Sequence, residues 1–339
     1  MKKTSNGLKL LSEGIPLIDV RAPIEFQEGS LPGAHNIPLM NNEERHEIGS
    51  IYKEKGHQAA VDRGHQLING DIKDIRIKKW ISFIEKNPQA VLYCFRGGLR
   101  SQITQQWLSE AGCEISLIEG GYKAVRSGLI QMMEDILPKL EFKMVSGSTG
   151  SGKTKFIQEQ NHSSIDLEKL ARHRGSAFGG FADVVQPSQI DFENALILEL
   201  IKLKDKPGPI YIESESRLIG RNVLPPSFYE KMLKSSWIEI ECSLDERVDH
   251  IFEEYILKSP LSHRDLSHFQ SLKNSLSKIS KKLGGLRYQE LVDDLEKSEA
   301  EFIKGGELQL NKEWIRKLLV WYYDPLYIHS QLRRHNNKI

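Results

Sequence analysis

The stretch FKMVSGSTGSGKTKF, Phe142 to Phe156, runs from an apolar segment through a glycine-bearing loop into a helical pattern. Its core, GSTGSGKT (Gly147 to Thr154), matches G-x4-G-K-[ST] in the strand, loop and helix setting the motif requires. In such a loop the backbone N–H groups cradle phosphate oxygens. Gly147, Gly150, Ser151 and Gly152 form the cradle, Lys153 reaches the outer phosphates, and Thr154 is the expected ligand of a magnesium ion if one accompanies them. A strand that feeds a helix this way calls for a parallel sheet with crossover helices. SSIDL (163–167), PIYIES (209–214) and WIEIEC (237–242) supply further strands of that sheet, and beyond Leu244 the pattern is mostly helical. Glu213 or Glu215, at the end of the PIYIES strand, is the candidate acidic partner of the loop, with Asp166 as a rival. The loop does not choose among kinases, nucleotidases and pyrophosphate-binding transferases.

Upstream lies a second α/β pattern. IPLIDV, HNIPL, AVLYCF and ISLIEGG read as buried strands, and Arg100 to Gly112 as a helix stopped by glycine. Asn41 to Asp71 is helical, charged and long for a connection, so it reads as an insertion beside the first sheet. The expected domains are 11–134 and 139–339, which suits a 339-residue chain when a domain takes roughly 100–200 residues. With Lys+Arg 47 against Asp+Glu 46 there is no overall field to announce nucleic acid or membrane, so any basic site must be local. Three scattered cysteines fit neither a disulfide scaffold nor a zinc site and suit a reducing compartment. No apolar run approaches a membrane span, and the expected location is cytoplasmic, without a membrane partner.

The first pattern carries its own chemistry in YCFRGGLRS, Tyr93 to Ser101. Cys94 follows a strand and precedes a helix, so loop amides turned toward the sulfur would favour a thiolate or bind an oxyanion. Gly97 and Gly98 permit the backbone this requires, and Arg96 and Arg100 offer cations to a tetrahedral anion. Cys113 and Cys242 lack such company and read as core residues. The spacing Cys-x5-Arg-Ser serves two chemistries: phosphate-ester hydrolysis through a phosphocysteine, and sulfur or selenium transfer through a cysteine-bound chalcogen.

IDVRAPIEFQEGSLPGAHNIPL (18–39), YCFRGGLRS and LIEGGYKAVR (117–126) together resemble a rhodanese domain. That resemblance implies a structural role for Asp19 and Arg21. The loop is one residue longer before its arginine than the common sulfurtransferase pattern, which suits a larger transferred atom or a phosphorylated donor.

The chain as a whole resembles the tRNA 2-selenouridine synthase family. The resemblance extends through IYKEKGHQAAVDRGHQLI, DLEKLARHRGSAFGG, IESESRLIG, ISKKLGGLR and YYDPLY. It implies a rhodanese-like α/β domain followed by a P-loop NTPase-like parallel-sheet domain with a mostly helical C-terminal part. It also implies a selenotransferase with geranyltransferase activity that acts on wobble 2-thiouridine in tRNA. Selenophosphate would be the donor, and a geranylated intermediate would be made from geranyl diphosphate. Cys94 falls on the family's catalytic cysteine, and no tightly bound cofactor is implied.

A tRNA partner needs local basic surface. Arg172 and Arg174 beside His173, Lys281, Lys282 and Arg287 with Lys278, and Arg333, Arg334 and Lys338 in the tail are the candidates. WYYDPLY reads as core packing rather than a base-stacking platform. The competing enzyme reading is a cysteine-dependent phosphatase or sulfurtransferase fused to a kinase-like P-loop module.

Overall fold

The computed structural model describes residues 3–4, 6–159, 163–174, 178, 184–258 and 266–329. The chain divides into two compact units, Met1–Lys139 with Pro187–Asp205, and Leu140–Gln186 with Lys206–Ile339.

The first unit is built on a parallel sheet in the order Lys3–Thr4, Ser116–Ile118, Val91–Tyr93, Leu17–Asp19, Ala34–Asn36. Leu17, Ile18, Val91, Leu92 and Tyr93 are all buried, as expected of central parallel strands covered on both faces. Four of the five strands overlap the four apolar runs, Ala34–Asn36 starting one residue ahead of HNIPL. The two-residue strand Lys3–Thr4 carries no sequence signal of its own and exists through pairing with Leu117 and Ile118.

The charged insertion forms a helix over Asn42–Leu67, broken at Gly56, and a second helix over Gly70–Lys86. Asn41 caps the first by accepting from the Glu44 amide, while the Glu44 carboxylate accepts from the Asn41 amide. Gly56 has φ +83° with open space around it, so the kink is a backbone requirement and not a packing one.

The helix Gln189–Leu203, placed by sequence order within the second domain, packs against Gly121–Ile136 of the first unit. Arg126 bonds Asn194 at 2.8 Å and also Glu193, while the Ser30 amide donates to Asp191 at 2.7 Å. The sequence expectation of an uninterrupted second domain therefore differs from the arrangement found. These polar partners lie more than sixty residues apart in the chain, beyond the reach of local pattern.

The second unit carries a four-stranded parallel sheet in the order Ser236–Glu239, Phe142–Ser146, Ile210–Glu213, Ser164–Ile165. After it, Leu244–Phe252, Ser267–Lys278, Gly285–Gly305 and Asn311–Leu318 pack around Phe252, Leu276, Leu291, Leu295 and Trp314. The buried Arg247 guanidinium forks onto the Asp324 carboxylate at 2.7 and 2.9 Å, tying the YYDPLY segment to this helical part. Among the described residues no helix is long and apolar enough to cross a membrane.

Candidate active site

Cys94 leaves the strand Val91–Tyr93, and the helix Leu99–Glu110 begins five residues on, with Gly98 at its N-cap. Cys94 is 3% exposed. Its sulfur lies 3.2 Å from the Ser101 hydroxyl and 3.8 Å from the Gly98 carbonyl. This differs from the expected nest of inward amides. Gly98, extended at φ −92°, turns its carbonyl toward the sulfur and toward the Gln102 amide, which donates to it at 3.1 Å.

Arg100 is not presented to the sulfur either. Its guanidinium is clamped by Glu25 at 2.6 and 3.2 Å. Burial alone would raise the Glu25 carboxyl, but the Arg100 hydrogen bonds and charge outweigh it and hold that carboxyl below the usual carboxylate value. Glu25 was not singled out in the sequence, and no local signal could have paired it with a residue 75 positions away. Arg96 is exposed at the loop surface. Arg96, Leu99 and Arg100 line a cavity of about 660 Å³ whose opposite wall is the kinked helix of the insertion.

Asp19 and Arg21 are fully buried and doubly bonded to one another, and Arg21 also donates to the Gly29 carbonyl at 2.8 Å. The guanidinium rests 4.0 Å from the centre of the Tyr122 ring. They brace the fold, in the structural role expected of them.

What holds the cysteine loop is the start of the helix Gly121–Ile136. The Tyr122 amide donates to the Cys94 carbonyl and the Lys123 amide to the Phe95 carbonyl, both at 2.9 Å. A Cβ on Gly121, itself at φ +59°, would stand 2.3 Å from the Cys94 carbonyl oxygen and 2.5 Å from the Gly97 nitrogen. Gly121→Ala should therefore cost about 2–4 kcal/mol of stability, through strain and collision together. Gly98→Ala, with open space around it, should cost at most about 1 kcal/mol. Denaturant melts of the two variants check this, and equal losses would show that the close approach at Gly121 is unimportant.

The second cluster surrounds the loop Gly147 to Thr154. Gly150 and Gly152 hold φ +82° and +84°, and a Cβ on Gly150 would meet the Arg247 carbonyl at 2.9 Å. Lys153 Nζ bridges the loop, donating to the Gly147 carbonyl at 2.8 Å and the Ser148 carbonyl at 3.3 Å. The Ser151 hydroxyl is buried with no hydrogen-bond partner among the described residues, a costly arrangement that an oxygen-bearing ligand in the cradle would relieve. Thr154, Lys153, Glu213 and Glu215 share one cavity of about 590 Å³.

Of the acidic candidates, Glu213 and Glu215 meet at this site and Asp166 does not. Asp166 caps the helix Leu167–Ala171 by accepting from the Lys169 amide at 2.8 Å. The residue missed from sequence is Glu168, whose carboxylate lies within 4.8 Å of those of Glu213 and Glu215. Burial, then the Glu215 charge, pushes Glu168 up to about 8 against the opposing pull of Lys153. Burial, then Glu168 and Glu215, holds Glu213 well above the usual carboxylate value. Three hard oxygen donors with surplus negative charge beside Thr154 fit a magnesium ion.

A carboxyl raised this way stabilises the fold in its protonated form. That contribution is complete below the ordinary value of 4.5 and is lost as pH rises through about 8. In metal-free buffer the thermal midpoint should fall as pH rises across this window. Glu168→Gln should fall by several degrees less, at roughly 2–4 °C per kcal/mol. Parallel curves for the two proteins would contradict the raised carboxyl.

The candidate nucleic-acid contacts separate. Arg172 is exposed and ends its helix at φ +50°. Arg174 instead bonds Glu254 at 3.0 Å, covers the Tyr255 ring and lines the phosphate-loop cavity. Lys278, Lys281, Lys282 and Arg287 are exposed. Burial, then the Lys278 charge, lowers His173, so the ARHR and SKISKK runs feel one another. Tyr322 is buried in the helical core, as expected for packing. Arg333, Arg334, Lys338 and part of the run from Arg172 to Gly180 lie outside the described residues.

A strand-end cysteine loop in a five-stranded parallel unit, and a phosphate loop backed by strand-end carboxylates in a four-stranded one, define a rhodanese-like protein fused to a P-loop protein. Residues 4–127 match the rhodanese-like domain, and residues 140–339 match the tRNA 2-selenouridine synthase AAA domain. A tRNA 2-selenouridine synthase of Bdellovibrio bacteriovorus is 47% identical over 347 residues, covering 96% of this chain and 91% of the relative. One of Nitrosomonas eutropha is 46% identical over 355 residues, covering 97% and 91%. The chain belongs to the tRNA 2-selenouridine synthase family.

Proposed function

We propose that the protein is a tRNA-modifying transferase that replaces sulfur by selenium in wobble 2-thiouridine, with selenophosphate as donor and an S-geranyl intermediate formed from geranyl diphosphate. The observation that carries the reading is the end-to-end likeness to relatives named tRNA 2-selenouridine synthase, in a chain that keeps both Cys94 and the phosphate loop. A tRNA substrate places the work in the cytoplasm.

Two chemical tasks fall to the two loops. The phosphate loop holds the diphosphate: Lys153 offsets its charge, the cradle amides take its oxygens, and the Ser151 hydroxyl, without a partner among the described residues, gains one. Glu168, Glu213, Glu215 and Thr154 would hold magnesium, which when bound neutralises charge on the departing diphosphate. The thiouridine sulfur attacks the geranyl carbon, the carbon–oxygen bond breaks and diphosphate leaves.

Cys94 then displaces geranyl thiolate, a better leaving group than bare sulfide, from carbon 2 of the base; the selenium of selenophosphate displaces Cys94 in turn, and water cleaves the selenium–phosphorus bond to release phosphate. Because Cys94 is buried, this step requires the loop from Phe95 to Leu99 to move aside. The phosphatase reading suits the geometry less well, because Glu25 occupies the arginine fork a phosphocysteine would need.

Purified protein, thiolated tRNA and selenophosphate, with and without geranyl diphosphate, test the reading by nucleoside mass spectrometry. Selenouridine is expected, with S-geranyl-thiouridine accumulating when selenophosphate is withheld. An unchanged nucleoside in every reaction would sink it.

A further inference from the structure

The insertion that sequence reading set beside the first sheet forms a built cavity. Gly56 bends Asn42–Leu67 into two arms, pinned together by the Arg63–Glu47 ion pair at 2.6 Å, with Ile48 Cδ1 of one arm 3.5 Å from where a Cβ on Gly64 of the other would stand. Between these arms and the start of the helix Leu99–Glu110 lies the cavity of about 660 Å³, within the ~300–1,000 Å³ common for small-molecule sites.

Its interior is apolar, with Met40, Ile48, Val61, Ile68 and Trp107 as walls, while Arg45, Lys53 and Arg96 stand at its edge. Met40, Ile68 and Trp107 also belong to the apolar cluster that packs Cys94, so the cavity and the sulfur share one layer of side chains. Neither phosphate nor a bare pyrimidine needs hydrocarbon walls of this extent. An apolar chain attached to an anionic or nucleotide head does.

We propose that this cavity binds the ten-carbon isoprenoid chain of S-geranyl-thiouridine and thereby presents carbon 2 of the base to Cys94. The proposal rests on the reading above that a geranylated nucleoside is the intermediate. The cationic edge receives the flanking backbone phosphates. The cavity also gives the departing geranyl thiolate an apolar place when the carbon–sulfur bond breaks. The same chain could arrive on geranyl diphosphate, and the experiment separates the two sources.

Equilibrium binding to the full chain is measured with anticodon stem-loops bearing S-methyl- or S-geranyl-thiouridine, and separately with geranyl diphosphate. Each methylene buried is worth about 4-fold in affinity, so S-geranyl should bind at least ~100-fold more tightly than S-methyl. Val61→Trp, which places an indole across the cavity where the chain would lie, should reduce that ratio at least ~10-fold while S-methyl affinity is unchanged. The unchanged S-methyl value shows that the variant is folded. Tyr52→Ala, at a wall residue 56% exposed, should lower the ratio without risk to the core.

A ratio unaffected by both changes overturns the proposal. So does a geranyl preference that depends on Val61 only with geranyl diphosphate, which would make the cavity a donor site. A Val61-dependent ratio in a protein that forms no selenouridine would uphold the cavity and overturn the functional reading instead.

Discussion

A Cys94→Ser protein is expected to fold normally and to transfer no selenium, losing at least ~10³-fold in selenouridine formation. Serine is smaller than cysteine by little, and its hydroxyl would find the partners the thiol has now: the Ser101 hydroxyl at 3.2 Å and the Gly98 carbonyl. The stability change should therefore stay within about 1 kcal/mol, because the new buried hydroxyl is satisfied. Activity has no such substitute. Neither neighbour can take a proton from serine at neutral pH, and a serine oxygen bonded to carbon 2 would leave less readily than sulfur when selenium arrives. Mass spectrometry of digested tRNA reads the activity and thermal unfolding the fold. Selenouridine at more than a few per cent of the wild-type yield would remove Cys94 from the chemistry.

Lys153→Ala should lower geranyl transfer from geranyl diphosphate by about 10²–10³-fold, the scale seen when one preorganised donor to a developing oxyanion is removed. The effect has two sources. The ammonium that bridges the Gly147 and Ser148 carbonyls no longer meets the diphosphate. Glu168 also loses the nearby charge that opposes its repulsion by Glu215. Selenation of tRNA that is already geranylated should proceed at the wild-type rate, since it needs the cysteine loop and no diphosphate. Undiminished geranyl transfer would move the diphosphate off this loop. Loss of both reactions would mean that the two loops do not divide the work.

These expectations depend on features that differ in how far they could be read from residues alone. The phosphate loop was legible because its geometry is local: glycines at positive φ, a lysine and a threonine lie within eight residues, and the flanking strand and helix are adjacent in the chain. Its acidic partners were half legible. Glu213 and Glu215 end a recognisable strand, but Glu168 enters from another strand–helix junction, and Asp166, which looked equivalent, is spent as a helix cap. The cysteine loop was placed correctly at a strand end. The state of its groups was not readable, because Glu25 and Gly121 reach it from elements far off in the chain.

Periodicity, glycine placement and motif spacing by themselves determined two parallel-sheet units, a cysteine at the end of one strand and a phosphate cradle at the end of another. Each of these follows from steric and hydrogen-bonding rules acting over a few residues. Tertiary structure alone decided that Arg100 is held by Glu25, that a helix after Pro187 packs with the first unit, and that the charged insertion bends into an apolar cavity. Those outcomes turn on which distant side chains exclude water together, a sum over long-range contacts to which no single stretch of sequence contributes enough to be seen.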